Sequence, residues 1–74
     1  MSKTLAGKKW GELSEEKRED LLAFANCIDG ETGDQAREGE CIVDLTDTLS
    51  IPGFLTDEGD IVIDDEAIIY NPIA

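Results

Sequence analysis

The sequence predicts an α+β fold, one amphipathic helix packed on a small antiparallel sheet of three or four strands. Three observations carry that expectation. An apolar stripe of helical period follows Ser14, a period-2 alternation covers residues 41–46, and a turn at Glu58-Gly59 sits between two short apolar runs. At 74 residues the chain holds one domain with a thin core. Without disulfides or a metal, such a core rarely contributes more than roughly 3–5 kcal/mol of stability.

The first twelve residues show no clear period and read as a loosely ordered arm or a short turn packed by Trp10, which sits among charges. A lone tryptophan in that setting is most often a lid on the core, and otherwise an anchor in an interface. Ser14 is a preferred N-cap, and Glu15 and Glu16 suit the positive end of a helix dipole. Leu21, Phe24, Ala25 and Ile28 then fall at i, i+3, i+4 and i+7, with Leu22 beside them and Gly30 placed as a stop. The expected helix runs from Ser14 to Ile28.

Residues 29–40 hold three glycines among polar side chains and read as an exposed loop. Acids stand at the first, third and twelfth positions from Asp29, as in a calcium loop. The sixth position, however, is Asp34 where the sharp turn of such a loop needs glycine. Cys41, Val43 and Leu45 alternate with Ile42, Asp44 and Thr46, the pattern of a strand with one buried face. A turn is expected at Ile51-Pro52-Gly53, and then a hairpin from Phe54 to Ile63.

A two-residue hairpin loop at Glu58-Gly59 opposes Asp57 to Asp60 and Phe54 to Ile63. It gathers Phe54, Thr56, Ile61 and Ile63 on the core side. A three-residue loop with Gly59 left-handed shifts that register. Residues 67–70 fit either a last strand or a helical turn. The expected core is Leu21, Leu22, Phe24, Ala25, Ile28, Val43, Leu45, Phe54, Ile61 and Ile63.

Eighteen acids face six bases, a net charge of −12, and the asymmetry along the chain is sharper still. Residues 1–18 carry a balance of +2, whereas from Glu19 onward fifteen acids face only Arg37. Such a surface is expected to repel nucleic acid and anionic lipid and to attract cationic proteins or metal ions. There is no histidine, so a Ser-His or Cys-His nucleophile pair cannot be built within the chain. Two cysteines, Cys27 and Cys41, are too few for a structural zinc site and read as small buried residues. Lys8 and Lys9 follow Gly7 without the spacing of a phosphate-binding loop. No catalytic residue, metal ligand or cofactor is therefore expected. Lacking an apolar leader and any run near membrane-span length, the chain is expected to be cytoplasmic, with reduced thiols.

The most informative cluster is Asp57, Glu58, Asp60, Asp64, Asp65 and Glu66, six acids in ten residues. Along a continuing strand, Asp64 and Glu66 would lie roughly 6.6 Å apart, a spacing comparable to that of successive phosphates on one nucleic-acid strand. Carboxylates held in such a row can stand in for a nucleic-acid backbone. Opposed acids at Asp57 and Asp60 would also destabilise the hairpin for no structural gain. The expected function is thus a non-enzymatic acidic module that occupies a basic, nucleic-acid-binding surface of a partner protein, as DNA-mimic inhibitors do. In size and charge the chain resembles the small acidic proteins by which phages and mobile elements block host defence nucleases. Asp44 and Asp47 extend the expected contact surface, and Trp10 is its candidate anchor. The alternative is an assembly protein that self-associates or joins a larger particle through Leu55, Val62, Ile68, Ile69 and Tyr70. In the bland reading the acids only keep a small protein soluble and its strand edges apart.

Overall fold

In the computed structural model, which describes residues 5–71, a single helix packs against a four-stranded antiparallel sheet. The helix, α1, spans Glu15–Ala23, and the strands are β1 (Asn26–Ile28), β2 (Gly39–Thr46), β3 (Leu49–Leu55) and β4 (Ile61–Val62). They lie in the order β1-β2-β3-β4, every neighbour antiparallel. The expected α+β class holds, with four strands.

Helix α1 starts where the sequence predicts. The Ser14 hydroxyl accepts a hydrogen bond from the Lys17 N–H at 3.1 Å, satisfying one of the free donors of the first turn. It stops five residues early, at Ala23, because residues 26–28 pair with β2. The segment 24–28 fits both a helical stripe and a strand, and a ladder with a long neighbour wins over one further helical turn. Phe24 is consequently a C-cap residue, 86% exposed, and not a core residue. Leu21 is the only buried residue of α1, so the helix is polar over most of its surface.

Strand β2 follows the predicted alternation, with Cys41, Val43 and Leu45 buried. A register shift between Asp44 and Thr46 accommodates Leu45 on the same face before the two-residue turn at Asp47-Thr48. The predicted turn at Ile51-Pro52-Gly53 is instead the middle of β3, and the chain reverses at Asp47-Thr48. Pro52 is tolerated there for a reason that the ladder makes plain. Ser50 donates its N–H to the Tyr70 carbonyl and accepts from the Tyr70 N–H, both at 2.8 Å, on the side away from β2. By strand periodicity the Pro52 nitrogen points the same way, between the Ser50–Tyr70 bridge and the Phe54–Val62 pair. Its missing N–H removes no ladder bond.

The β3–β4 hairpin takes the three-residue loop. Phe54 pairs with Val62 and Leu55 with Ile61, so Thr56 stands opposite Asp60. Thr56 donates its N–H to the Asp60 carbonyl at 2.9 Å, and Gly59 occupies the left-handed region at φ +90°. Relative to the two-residue loop the pairing slips by one residue, which exchanges faces. Leu55, Ile61 and Ile63 pack against the core, while Phe54 turns outward and is 46% exposed.

Over its described part the N-terminal segment takes the second of its two expected forms, a short turn packed by Trp10, and not a loose arm. Residues 7–11 form a hydrogen-bonded seam with residues 65–69, among them Gly7 N–H to Ile69 O, Trp10 N–H to Ala67 O and Gly11 N–H to Asp65 O. Trp10 begins a 3₁₀ turn at Trp10–Glu12 and is 5% exposed, a core residue. Residues 1–4 of the expected arm lie outside the described residues. The buried cluster comprises Trp10, Leu21, Cys27, Cys41, Val43, Leu45, Ile51 and Ile69. Leu22, Ala25, Ile61 and Ile63 are half-buried against it, and Ile28 is half-buried opposite Ile42. Among the described residues, no helix is long and apolar enough to cross a membrane.

Candidate interaction surface

Strand register sorts the side chains into two faces. Cys27, Val43 and Ile51 stand in one row across the sheet and Cys41 and Gly53 in the next, all on the covered face. Ile28, Ile42 and Pro52 form the row between them on the opposite face, followed by Glu40, Phe54 and Val62. That second face has no helix over it. Phe54 and Val62 are 46% and 54% exposed, and Pro52 is exposed beside them. An open groove of about 840 Å³ lies over this face, floored by Ile42, Pro52, Phe54 and Val62. Asp29, Glu31, Glu40 and Asp64 border it, and no Lys or Arg lines it.

Local hydrogen bonds hold the acidic border. The Asp29 carboxylate accepts from the N–H groups of Glu31, at 2.7 Å, and Thr32, at 3.1 Å, which closes the turn beside Ile42. Those two donors hold its pKa below the usual carboxylate value. Asp29 N–H donates in turn to the Asp34 carbonyl at 2.7 Å, so the loop is folded by its own backbone. On the opposite border the Asp64 carboxylate accepts from the Glu66 N–H at 2.8 Å.

The acids singled out in the sequence do not form one array. Asp57 and Glu58 lie exposed in the hairpin loop, and Asp60 closes it by donating its N–H to the Thr56 hydroxyl at 2.9 Å. Asp57 does not oppose Asp60, because Thr56 takes that place, so the cost expected from facing like charges does not arise. Residues 64–67 form a turn closed by Ala67 N–H to Asp64 O, and β4 ends at Val62, so Asp64 and Glu66 do not share a strand. Asp65 and Glu66 face the chain's own cations. Glu66 lies 3.0 Å from the Lys9 ammonium, and Asp65 is 3.9 Å from the Arg18 guanidinium. Asp44 is half-buried on β2, and Asp47 is exposed in the β2–β3 turn. That turn and the hairpin tip lie beyond opposite ends of β2, roughly 23 Å apart along an eight-residue strand. Trp10, the candidate anchor, is buried in the core.

The groove's apolar floor was not anticipated from the sequence, although one signal for it is present. Ile42 interrupts the alternation of β2 with an apolar residue on the wrong face, and one helix cannot cover both faces of a sheet. The buried thiols of Cys27 and Cys41 are both free, and burial, reinforced by the Cys41 thiol beside it, pushes the Cys27 pKa from 9.0 up to about 11. The Cys27 thiol is therefore protonated and weakly nucleophilic near neutrality. Among the described residues, no three Cys, Asp or Glu side chains come together in a way that could hold a metal ion. Comparison of the chain with protein-family models, curated proteins and solved structures produced no match.

Proposed function

We propose that this chain is an acidic module that works by binding a basic partner protein in the cytoplasm and not by catalysis. The partner surface is one that otherwise engages nucleic acid, and occupying it inhibits the partner. One observation carries this reading: Asp57, Glu58, Asp60 and Asp64 are exposed on the two turns that flank β4, and each turn is closed by a side-chain hydrogen bond. Turns closed in this way present their acids with less loop ordering to lose on binding. Asp65 and Glu66 join the contact only by exchanging Arg18 and Lys9 for cations of the partner, so their contribution is smaller. Asp44 and Asp47, at the far end of β2, contact only a partner long enough to span the sheet.

The test is competition. Proteins captured on the immobilised chain are expected to be released by rising salt and by added duplex DNA, and the triple variant D57N/E58Q/D60N is expected to capture them poorly. Capture that persists unchanged through high salt and excess DNA overturns the reading. The assembly alternative draws support from the exposed Phe54 and Val62, but Ile69 is fully buried and cannot contribute to a contact.

A further inference from the structure

We propose that the open face of the sheet seats a basic amphipathic helix of the partner protein. The proposal rests on the reading of the chain as a binder of basic proteins and assigns a second, apolar part to that contact. Ile42, Pro52, Phe54 and Val62 lie on one face of three adjacent strands, and the groove above them is open. With Ile28 on β1 they form a band that crosses all four strands obliquely. At about 4.8 Å between strands and one two-residue step along them, the band is roughly 16 Å long. Three turns of α-helix span the same distance.

The kind of occupant follows from hydrogen bonding. The backbone groups of this face are already committed to the ladder, so an extended peptide laid across it would leave its own N–H and C=O groups unpaired. A helix satisfies its backbone internally and can place an i, i+3, i+4, i+7 stripe on the floor. Charge decides which helix. Carboxylates of Asp29, Glu31, Glu40 and Asp64 border the groove on both sides, with no cation among its lining residues. Lysines and arginines flanking the stripe of an incoming helix meet those carboxylates. A second copy of this chain brings the same acids face to face and is repelled.

The probe is a 14-residue peptide with leucines at i, i+3, i+4 and i+7 and lysine or arginine elsewhere. Its control has the same composition with the leucines scattered. Backbone amide shifts of the full chain are followed by NMR during titration. The patterned peptide is expected to shift residues 42, 54 and 62 and to bind at least tenfold more tightly than the scattered control. F54S/V62T is expected to lose that tenfold advantage while keeping its fold, seen in the dispersion of its other amides. Equal, salt-sensitive binding of both peptides overturns the face proposal and leaves the acidic module standing. Binding of neither peptide at low salt overturns both. Self-association of the wild-type chain in sedimentation, abolished by F54S/V62T, overturns the basic helix in favour of a second copy.

Discussion

The two faces of the sheet contain similar apolar residues and meet different surroundings. Cys41, Val43 and Ile51 lie under Trp10, Leu21 and Ile69, supplied by the N-terminal turn, the helix and the C-terminal segment. Ile42, Phe54 and Val62, interleaved with them along the same strands, have no such cover. Covered residues of this kind hold the domain together, so their replacement is felt as stability. Exposed residues of the same type contribute little to folding and remain available for binding.

The largest expected effect is on the covered side. Trp10→Ala removes a buried indole and is expected to cost about 3–5 kcal/mol. That is comparable to the whole stability of an unstapled domain of this size, roughly 3–5 kcal/mol. The variant should lose its cooperative thermal transition in circular dichroism. A melt within a few degrees of wild type would show that the N-terminal seam does not close the core.

Gly53→Ala tests the same face from the strand side. A Cβ at Gly53 would stand 2.8 Å from Val43 Cγ2 and 3.3 Å from Ile63 Cγ1, both in the packed layer. Overpacking of this kind costs about 1–3 kcal/mol, measurable by urea denaturation. A neutral outcome would mean that the covered face is looser than its burial indicates.

Alkaline pH probes the covered Cys27 thiol without mutation. The Cys27 pKa is raised on folding, so its contribution to stability is complete below about pH 9 and is lost as pH rises through about 11. Denaturation midpoints should fall across that interval in wild type and fall less in Cys27→Ala. At acid pH the sign reverses for Asp29, whose pKa is depressed by its two N–H donors. Its contribution is present above the ordinary carboxylate pKa and disappears as pH falls through the folded value.

Ser50 stands on the same face of β3 as Pro52 and Phe54, one row beyond Pro52, where the face is closed. It is fully buried opposite Asp44, and among the described residues its hydroxyl has no hydrogen-bond partner. Ser50→Ala should be neutral or stabilise by up to about 1 kcal/mol in equilibrium unfolding, since it removes an unpaired buried polar group. The smallest stability effect is expected on the open side. Phe54→Ser alone should change stability by less than about 0.5 kcal/mol. A larger loss would mean that Phe54 belongs to the core and that the two faces are not distinct.

Much of the fold is legible in the residues themselves. The Ser14 cap, the alternation of 41–46 and the left-handed requirement at Gly59 are local, and each is where the sequence places it. The candidate site was legible only as composition. The acids are exposed as expected, but their grouping depended on a hairpin register and on a strand continuing past Val62, neither of which local signals decide. Lys9 and Arg18 are distant in sequence from Glu66 and Asp65, so nothing in the order of residues shows that they meet.

By itself the sequence determined the fold class, the start of α1, the inward residues of β2 and the overall negative charge. The tertiary structure alone decided where α1 stops, that Pro52 sits inside a strand, that Phe54 faces out, and which side of the sheet is closed. Caps, alternation and charge are properties of neighbouring residues. Register and cover depend on segments far apart in the chain, here residues 7–11 against 65–69 and 26–28 against 42–44, whose pairing outweighs local preference.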